Sequence, residues 1–513
     1  MSSRHRRGCA LRIAAPALAL ALPFLTGQLA WAQEGGSRAL SIESGVSISE
    51  TLTDNAHLTS TDKSAEAITQ LTATLRVRSR SGRVRGSLDY ALTGYVYAKD
   101  SGSSSTQNAL NATVRADLVE NWLWIDGGAQ ISQQAVSAFG TQSLTPGLVS
   151  GNRSEVRSLQ VSPNLRGTLS GVVNYHASLL YGLTRTDAAG ALGNTDTSSG
   201  SLSLSSARGG VFGWSATASR QHSNYAASRS TEVDTAQVSL SYLALPELRT
   251  TATAGREWTD HTTQQKTGNA TWGVGATWSP SARTTLNAQF DHRFFGNGYQ
   301  LAFEHRFPLS AIRLSSLRNV SNSSSQAPGG AFATAYDLFF SQFASIEPDP
   351  VKRDDRVRAF LQANGIIPST LVAPGFLAGA ASLQQLTQLS YSLQGARSTL
   401  TASASVSNTR RLDTLATGQD DLSQSDVVRQ RSLGLTLGHR LTPVMGVSLD
   451  LSRQASSGST SSQANVLKSI RLGLTTTLGR RSTASLSARH VQFDSTTQPY
   501  TENAVVATFG LTF

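Results

Sequence analysis

The sequence predicts an all-β protein: a transmembrane outer-membrane β-barrel of roughly 22 antiparallel strands, with one partly helical loop insertion. Three observations predict it. Apolar and polar residues alternate with period two along most of the chain. Short turn-like breaks alternate with longer polar stretches. The last residues, Val505, Ala507, Phe509, Leu511 and Phe513, are apolar at every second position, with small or polar residues between.

Composition agrees. Of 513 residues, 39% are hydrophobic and only 15% are charged. That balance is unusual for a large soluble enzyme. It suits strands whose residues face lipid and a wet lumen in turn. A disordered, Ser-rich surface protein is the alternative, and the persistent alternation argues against it.

The chain opens as a leader. Arg4, Arg6, Arg7 and Arg12 precede an Ala/Leu-rich run broken by Pro16 and Pro23, and Ala30-Trp31-Ala32 fits a cleavage site. A cleaved signal peptide over 1–32 and a single barrel domain over 33–513 are therefore expected. Cys9, the one cysteine, lies in the leader, so the mature chain is expected to have no disulfide and no thiolate metal site. Alternation through Ile42, Val46 and Ile48 starts about ten residues later, which leaves no room for a globular plug ahead of the barrel.

Individual segments follow in order. In 84–97, Val84, Leu88, Tyr90, Leu92 and Val96 share a face opposite Arg85, Ser87, Asp89 and Thr93. Residues 443–452 and 469–478 repeat the pattern. Short turns are expected at Ser81-Gly82, Glu120-Asn121, Gly209-Gly210, Pro246-Glu247, Ser279-Pro280, Gly395-Ala396, Thr442-Pro443 and Arg480-Arg481. Asn297-Gly298 offers type I′ chemistry for one tight outer hairpin. Trp122, Trp124, Trp214, Trp258, Trp272 and Trp278 are read as interfacial girdles. The terminal pattern ending at Phe513 is the assembly signal expected to engage barrel-assembly machinery.

One segment, 321–385, does not alternate. Phe332, Leu338, Phe339, Phe340 and Phe343 have helical spacing. Pro348-Asp349-Pro350 starts a helix that Gly365 ends. This insertion either obstructs the barrel or packs on outer loops.

The early Thr53-Asp54-Asn55, the polar strands and the Pro348-Asp349-Pro350 insertion before Gly395-Ala396-Arg397 resemble the PEP-CTERM system-associated outer membrane proteins. The resemblance implies an exopolysaccharide-linked component of a Gram-negative outer membrane. It supplies no catalytic residues.

The candidate site is a set of lumen charges. Arg76, Arg78 and Arg80 share one strand face, with Arg85 and Asp89 across the next turn. Asp291, Arg293, Glu304 and Arg306 form a second set. Unpaired, the arginine row would favour anions or acidic polysaccharide; paired, it would only hold strands together. His292 and His305 fall on the lipid phase. No metal site, cofactor or catalytic motif is expected, and the net charge of +11 is assigned to the barrel rather than to nucleic acid. The leading function is a porin-like passive conduit or export-associated component linked to exopolysaccharide. The alternatives are a structural or adhesive barrel without transport, and a barrel hydrolase. Outer-membrane lipid is the surrounding partner.

Overall fold

The strands are long because the residues facing lipid are β-formers or small, and they alternate with mostly polar or small residues facing the lumen. In the computed structural model they are β1 Leu40–Thr53, β2 Glu66–Ser79, β3 Val84–Tyr97, β4 Ser105–Val119, β5 Leu123–Ala135, β6 Arg153–Leu169, β7 Val173–Thr186, β8 Thr195–Ser206, β9 Phe212–Tyr225, β10 Thr231–Leu245 and β11 Leu248–Thr259. They continue as β12 Thr267–Ser281, β13 Thr284–Arg293, β14 Gly296–Arg306, β15 Ser310–Ser321, β16 Ser382–Gln394, β17 Ser398–Arg411, β18 Val427–Arg440, β19 Met445–Ser457, β20 Ala464–Thr477, β21 Ser482–Ser495 and β22 Tyr500–Thr512. The structure describes residues 40–80, 82–145, 147–321, 336, 339–340, 343–345, 347, 349–363, 375–413, 415 and 420–513. The expected leader and its cleavage site lie outside them.

Each strand pairs antiparallel with the next, and β1 pairs with β22, so the 22-stranded sheet closes on itself. A closed sheet leaves no unpaired backbone edge in lipid, where each unsatisfied group would cost several kcal/mol. The outer face carries exposed apolar residues such as Ile48, Leu71, Leu240 and Leu472. This closed, lipid-belted barrel is an outer-membrane protein. Ten short turns lie at the end holding both barrel termini, and the long connections, with one tight hairpin at Phe294-Phe295, lie at the other, which fixes the first as periplasmic and the second as external.

The closure seam is clamped at its external end by the Thr53-Asp54-Asn55 segment. Asn55 is fully buried. Its Nδ2 donates to the carbonyls of Thr59 (2.7 Å) and Thr501 (2.9 Å), and its Oδ1 accepts from the Thr59 amide (3.0 Å). The Asp54 carboxylate accepts from the amide and Nδ2 of Asn503, both at 2.7 Å. Thr53 Oγ1 donates to buried Glu502, which Arg489 grips with two nitrogens at 2.7 and 3.1 Å. At the periplasmic end the Phe513 amide donates to the Ser44 carbonyl at 2.7 Å.

Three local expectations are corrected. The tight outer hairpin turns at Phe294-Phe295, with Gly296 at φ +89°, while Asn297 and Gly298 lie within β14 opposite His292 and Asp291. The turn is held by rings instead of Asn-Gly chemistry: Phe295 meets Phe294 edge-on and lies under Arg293 and Arg318. The Ser279-Pro280 turn falls at residues 282–283, because the ladder absorbs Pro280 in a register shift at the end of β12. Trp124 is no girdle residue. It shares the inward phase with Asp126, donates to that carboxylate at 2.9 Å, and packs between Arg115 and Arg166. Trp214, Trp272 and Trp278 do lie exposed on the outer face.

Replacing Asn55 with Ala should remove the four hydrogen bonds of its side chain and weaken the seam by about 2 kcal/mol. The unheated, fast-migrating gel band should then convert to the slow form at a lower temperature than in the native protein. An unchanged conversion temperature would show that closure does not depend on this clamp. Replacing Phe509 with Asp should lower the amount of folded barrel in membranes, because a carboxylate on the lipid face costs roughly 1–2 kcal/mol.

Candidate functional site

The lumen face of β1–β3 carries charge at alternate positions. Register places Glu43 opposite Arg76, and Arg76 opposite Asp89. Arg76 reaches both, with Nη1 to Glu43 Oε2 at 3.0 Å and Nε to Asp89 Oδ1 at 2.9 Å. One step towards the periplasm, Arg78 is buried and faces the insertion.

The insertion supplies helix α1, Pro350–Ala363. Pro350 suits a first turn, where no amide hydrogen is needed. The Arg353 amide bonds the Asp349 carbonyl at 2.9 Å. Asp354 and Arg358 are one turn apart and pair at 2.8 Å. Val357 and Leu361 are fully buried with Phe339 and Phe343, and Tyr336, Phe340 and Phe360 pack around them. The insertion thus builds its own small core.

Among the described residues, the ties of α1 to the wall are ion pairs and hydrogen bonds. Arg358 Nη1 and Nη2 grip Asp89 at 3.1 and 3.0 Å. Arg78 pairs with Asp354 and, at 3.2 Å, with Asp355. Asp89 is therefore the hinge of the network, accepting from Arg76 on the wall and Arg358 on the helix. Three guanidiniums, Arg76, Arg78 and Arg358, face four carboxylates, Glu43, Asp89, Asp354 and Asp355. The row leaves no excess positive charge.

The last part of the insertion and other loops cross the external mouth. Residues 375–381, which lead into β16, cross to β5: Ala135 bridges Phe376, Gln134 Nε2 donates to the Phe376 carbonyl at 3.2 Å, and the Leu377 amide donates to the Val136 carbonyl at 3.3 Å. β5 and β16 are eleven strands apart in a ring of 22, so this contact joins opposite walls. Helix α2, Asp421–Gln424, meets the same place. Asp421 accepts from Ser137 Oγ at 2.7 Å and the Ala138 amide at 2.6 Å, while Asp420 accepts from the Gly379 amide at 2.7 Å. Burial pushes the Asp421 carboxyl up to about 6, with Asp420 beside it adding to the rise. The loop 136–152 is also tied to β3 and β22 through Tyr97 and Tyr500, whose hydroxyls donate to the Gly147 and Gln142 carbonyls.

The lumen wall of β16–β19 differs from the charged wall. Its inward positions include Gln384, Gln388, Ser390, Ser405, Gln430, Ser432 and Ser448, all buried. Gln388 Nε2 and Oε1, Gln384 Nε2 and Ser390 Oγ have no hydrogen-bond partner. Buried unpaired amides and hydroxyls are costly, and they mark places where another polar group fits. Sequence reading passed over this wall. Its signal is Ser382, Gln384, Gln388, Ser390 and Ser392 at alternate positions, broken only by Leu386.

The remaining candidates are dispersed. Arg80 is exposed at the periplasmic end of β2. Arg85 pairs with Asp117 at 2.7 Å. Arg293 pairs with buried Glu257, and Asp291 accepts from Gln289 Nε2 at 2.8 Å. Glu304 lies near Arg306 and Arg313, at 3.6 and 4.0 Å, towards the opposite end of the hairpin. Asp291, Arg293, Glu304 and Arg306 are therefore not one cluster. Val505, Ala507, Phe509, Leu511 and Phe513 stand on the outer face of the closing strand.

Replacing Asp89 with Asn should loosen α1 by about 2 kcal/mol, and so raise its tryptic cleavage roughly thirtyfold. Cleavage at the native rate would show that α1 is held by something else. The mouth should respond to pH. The Asp421 pKa is raised above its ordinary 3.8, so its contact is strongest below that value and weakens as pH rises through about 6. Hydrogen exchange at Ser137 and Ala138, corrected for intrinsic rates, should therefore speed up from pH about 4 to about 7 and lose that slope in Asp421→Asn. The same slope in both proteins would remove Asp421 as the cause.

No protein-family model and no curated protein matches the chain. Among solved structures it is similar to the siderophore receptor PirA from Pseudomonas aeruginosa, at 11% identity and TM-score 0.43, covering 92% of this chain and 80% of that one. It is also similar to the FrpB iron transporter from Neisseria meningitidis, at 10% identity and TM-score 0.45, covering 92% and 81%. The ferric enterobactin receptor PfeA from Pseudomonas aeruginosa, as an R480A mutant bound to enterobactin, gives 9% identity and TM-score 0.47, covering 92% and 81%. Likeness at this level says nothing of ligand or partner.

Proposed function

We propose that the chain is a gated, passive outer-membrane conduit, with the α1 part of the insertion between β15 and β16 as its stopper and a hydroxyl-rich polymer of the exopolysaccharide class as its cargo. One observation carries this reading. The stopper has a separate core, and its described ties to the barrel wall are ion pairs and hydrogen bonds. A unit that keeps its apolar side chains to itself can leave the wall without exposing them to water. Twenty-two strands about 4.8 Å apart and tilted about 40° would form a circular backbone ring about 44 Å across. Wall side chains alone do not fill such a ring, so its openness depends on what the loops place inside.

The wall of Gln and Ser on β16–β19 supports the cargo class. Uncharged donors and acceptors at regular spacing exchange hydrogen bonds with sugar hydroxyls and hold no fixed charge against them. The paired arginines argue against a strong anion preference, and so favour a neutral polymer over an acidic one. The resemblance to PEP-CTERM system-associated proteins points to the same class. A second reading, a structural barrel without transport, is favoured by the loop contacts that join opposite walls at the mouth.

The test is conductance in planar bilayers. The native protein should be mostly closed. Replacing 336–363 with a short Gly-Ser linker should open a large, steady conductance. Its anion preference should be weak, because Arg76 and Arg78 then face Glu43 and Asp89. Added neutral dextran should block it. A barrel that stays closed after this replacement would favour the structural reading, and strong anion selectivity would overturn the neutral cargo.

A further inference from the structure

The outer face of β17–β20 carries an arginine cluster that the lumen does not use. On β18 the outward residues from the external end are Val427, Arg429, Arg431, Leu433, Leu435 and Leu437. Arg410 on β17 stands opposite Val427, and Arg453 on β19 stands opposite Leu433. Arg410, Arg429, Arg431 and Arg453 are all exposed. Among the described residues none of the four has a carboxylate within ion-pair distance, and Arg429 bonds only the Asn408 amide oxygen, at 3.1 Å.

This is not how basic residues are treated on another sector of the same rim. On β6–β8, Arg157 pairs with Glu155 and Asp187, and Arg185 pairs with Asp196. On β9–β12, Arg220 and Lys266 share Glu232 and Asp234. On β17–β20 like charges are instead placed together. Arg453 is directly opposite Lys468, an unfavourable cross-strand pair unless an anion lies between them. Lys468 is held by Asp494 at 3.0 Å. Arg431 and Arg453 are diagonal neighbours, with Cα atoms about 7 Å apart.

Directly below lies an apolar groove of about 380 Å³, with Arg453 on its edge. Ala402 and Ala404 form its floor, and Leu389, Leu433, Leu435 and Leu451 form its sides. The Leu389–Ala404–Leu433 row lies one two-residue step, about 6.7 Å along the strand, below Arg431. A groove of small and branched apolar residues facing the bilayer fits an acyl chain. The guanidiniums above it lie at headgroup height on the external side, where planar bidentate donors select phosphate.

We propose that this face binds a phosphorylated, multiply acylated glycolipid of the outer leaflet, with its phosphates held by Arg429, Arg431 and Arg453 and one acyl chain seated between Ala404 and Leu433. Charge complementarity selects the phosphate, and the groove selects a headgroup with acyl chains directly beneath it. Both features occupy one patch on consecutive strands. The site is independent of the conduit reading, since it faces lipid and not the lumen.

Native mass spectrometry of the detergent-solubilised barrel tests it, with bisphosphorylated lipid A, its dephosphorylated form and phosphatidylglycerol as separate probes. The native protein should retain bisphosphorylated lipid A at one site. The Arg429→Ser, Arg431→Ser, Arg453→Ser variant should bind it at least roughly tenfold more weakly. Ala404→Trp, which fills the groove and keeps the charges, should also weaken it. Both variants should keep the fast-migrating, unheated gel form, which shows that the barrel is closed. Native-like binding by the triple-Ser variant would overturn the proposal. So would equal binding of the dephosphorylated lipid or of phosphatidylglycerol, which would mark a general lipid annulus.

Discussion

Closure of β1 on β22 is the constraint on which the rest of the molecule depends. Every backbone amide and carbonyl in the bilayer must find its partner within the sheet, and only a closed sheet leaves none over. The seam is also where closure is most exposed to failure, since its two strands are joined by no turn. Buried groups concentrate there. Asn55 ties the first loop to β22, and Glu502 draws together Thr53 and Arg489. The Thr53-Asp54-Asn55 segment acts as the latch that a missing turn would otherwise supply.

Closing 22 strands has a consequence inside. The ring is too wide for wall side chains to fill, so the bore becomes a matter for the loops. This chain uses two devices. Segments that lead into β16 and β18 cross to the end of β5 and roof the mouth, and α1 docks on β2 and β3 within the lumen. The roof includes fully buried Phe376, with Ala138 and Val428 packed around it. The helix docks by charge. Arg78, Asp354 and Arg358 are largely shielded from water, so parting the helix from the wall requires water to reach the separated charges.

Inside and outside the wall, the same residue type serves opposite ends. Arg76, Arg78 and Arg358 are consumed by carboxylates, because a wet but partly enclosed lumen penalises unpaired charge. Among the described residues, Arg429, Arg431 and Arg453 have no carboxylate partner on the outer face, at a height where the membrane itself offers anionic groups. Alternation along one strand is enough to separate the two roles. Shifting any of these strands by one residue would exchange them.

The sequence by itself determined the barrel, the strand number to within about four, the alternation of short and long connections, the position of the insertion and the lipid face of the last strand. All of these follow from periodicity and turn chemistry, which act over a few residues. Where a local signal competed with a stronger neighbour, the reading failed. Asn297-Gly298 has hairpin chemistry, yet the rings of Phe294 and Phe295 with Arg293 and Arg318 place the turn three residues earlier. Trp124 has girdle chemistry, yet the phase of Asp126 turns it inward. Only the tertiary structure decided that Arg78 is paired with Asp354 and Asp355, and Asp89 with Arg358, because these partners lie about 270 residues further on. It alone decided that residues 375–381 reach the opposite wall, and that three arginines from two strands meet above one groove. Periodicity tells which face a residue takes. Which residues share that face across the barrel depends on register and closure, and these are set by pairings between segments far apart in the chain.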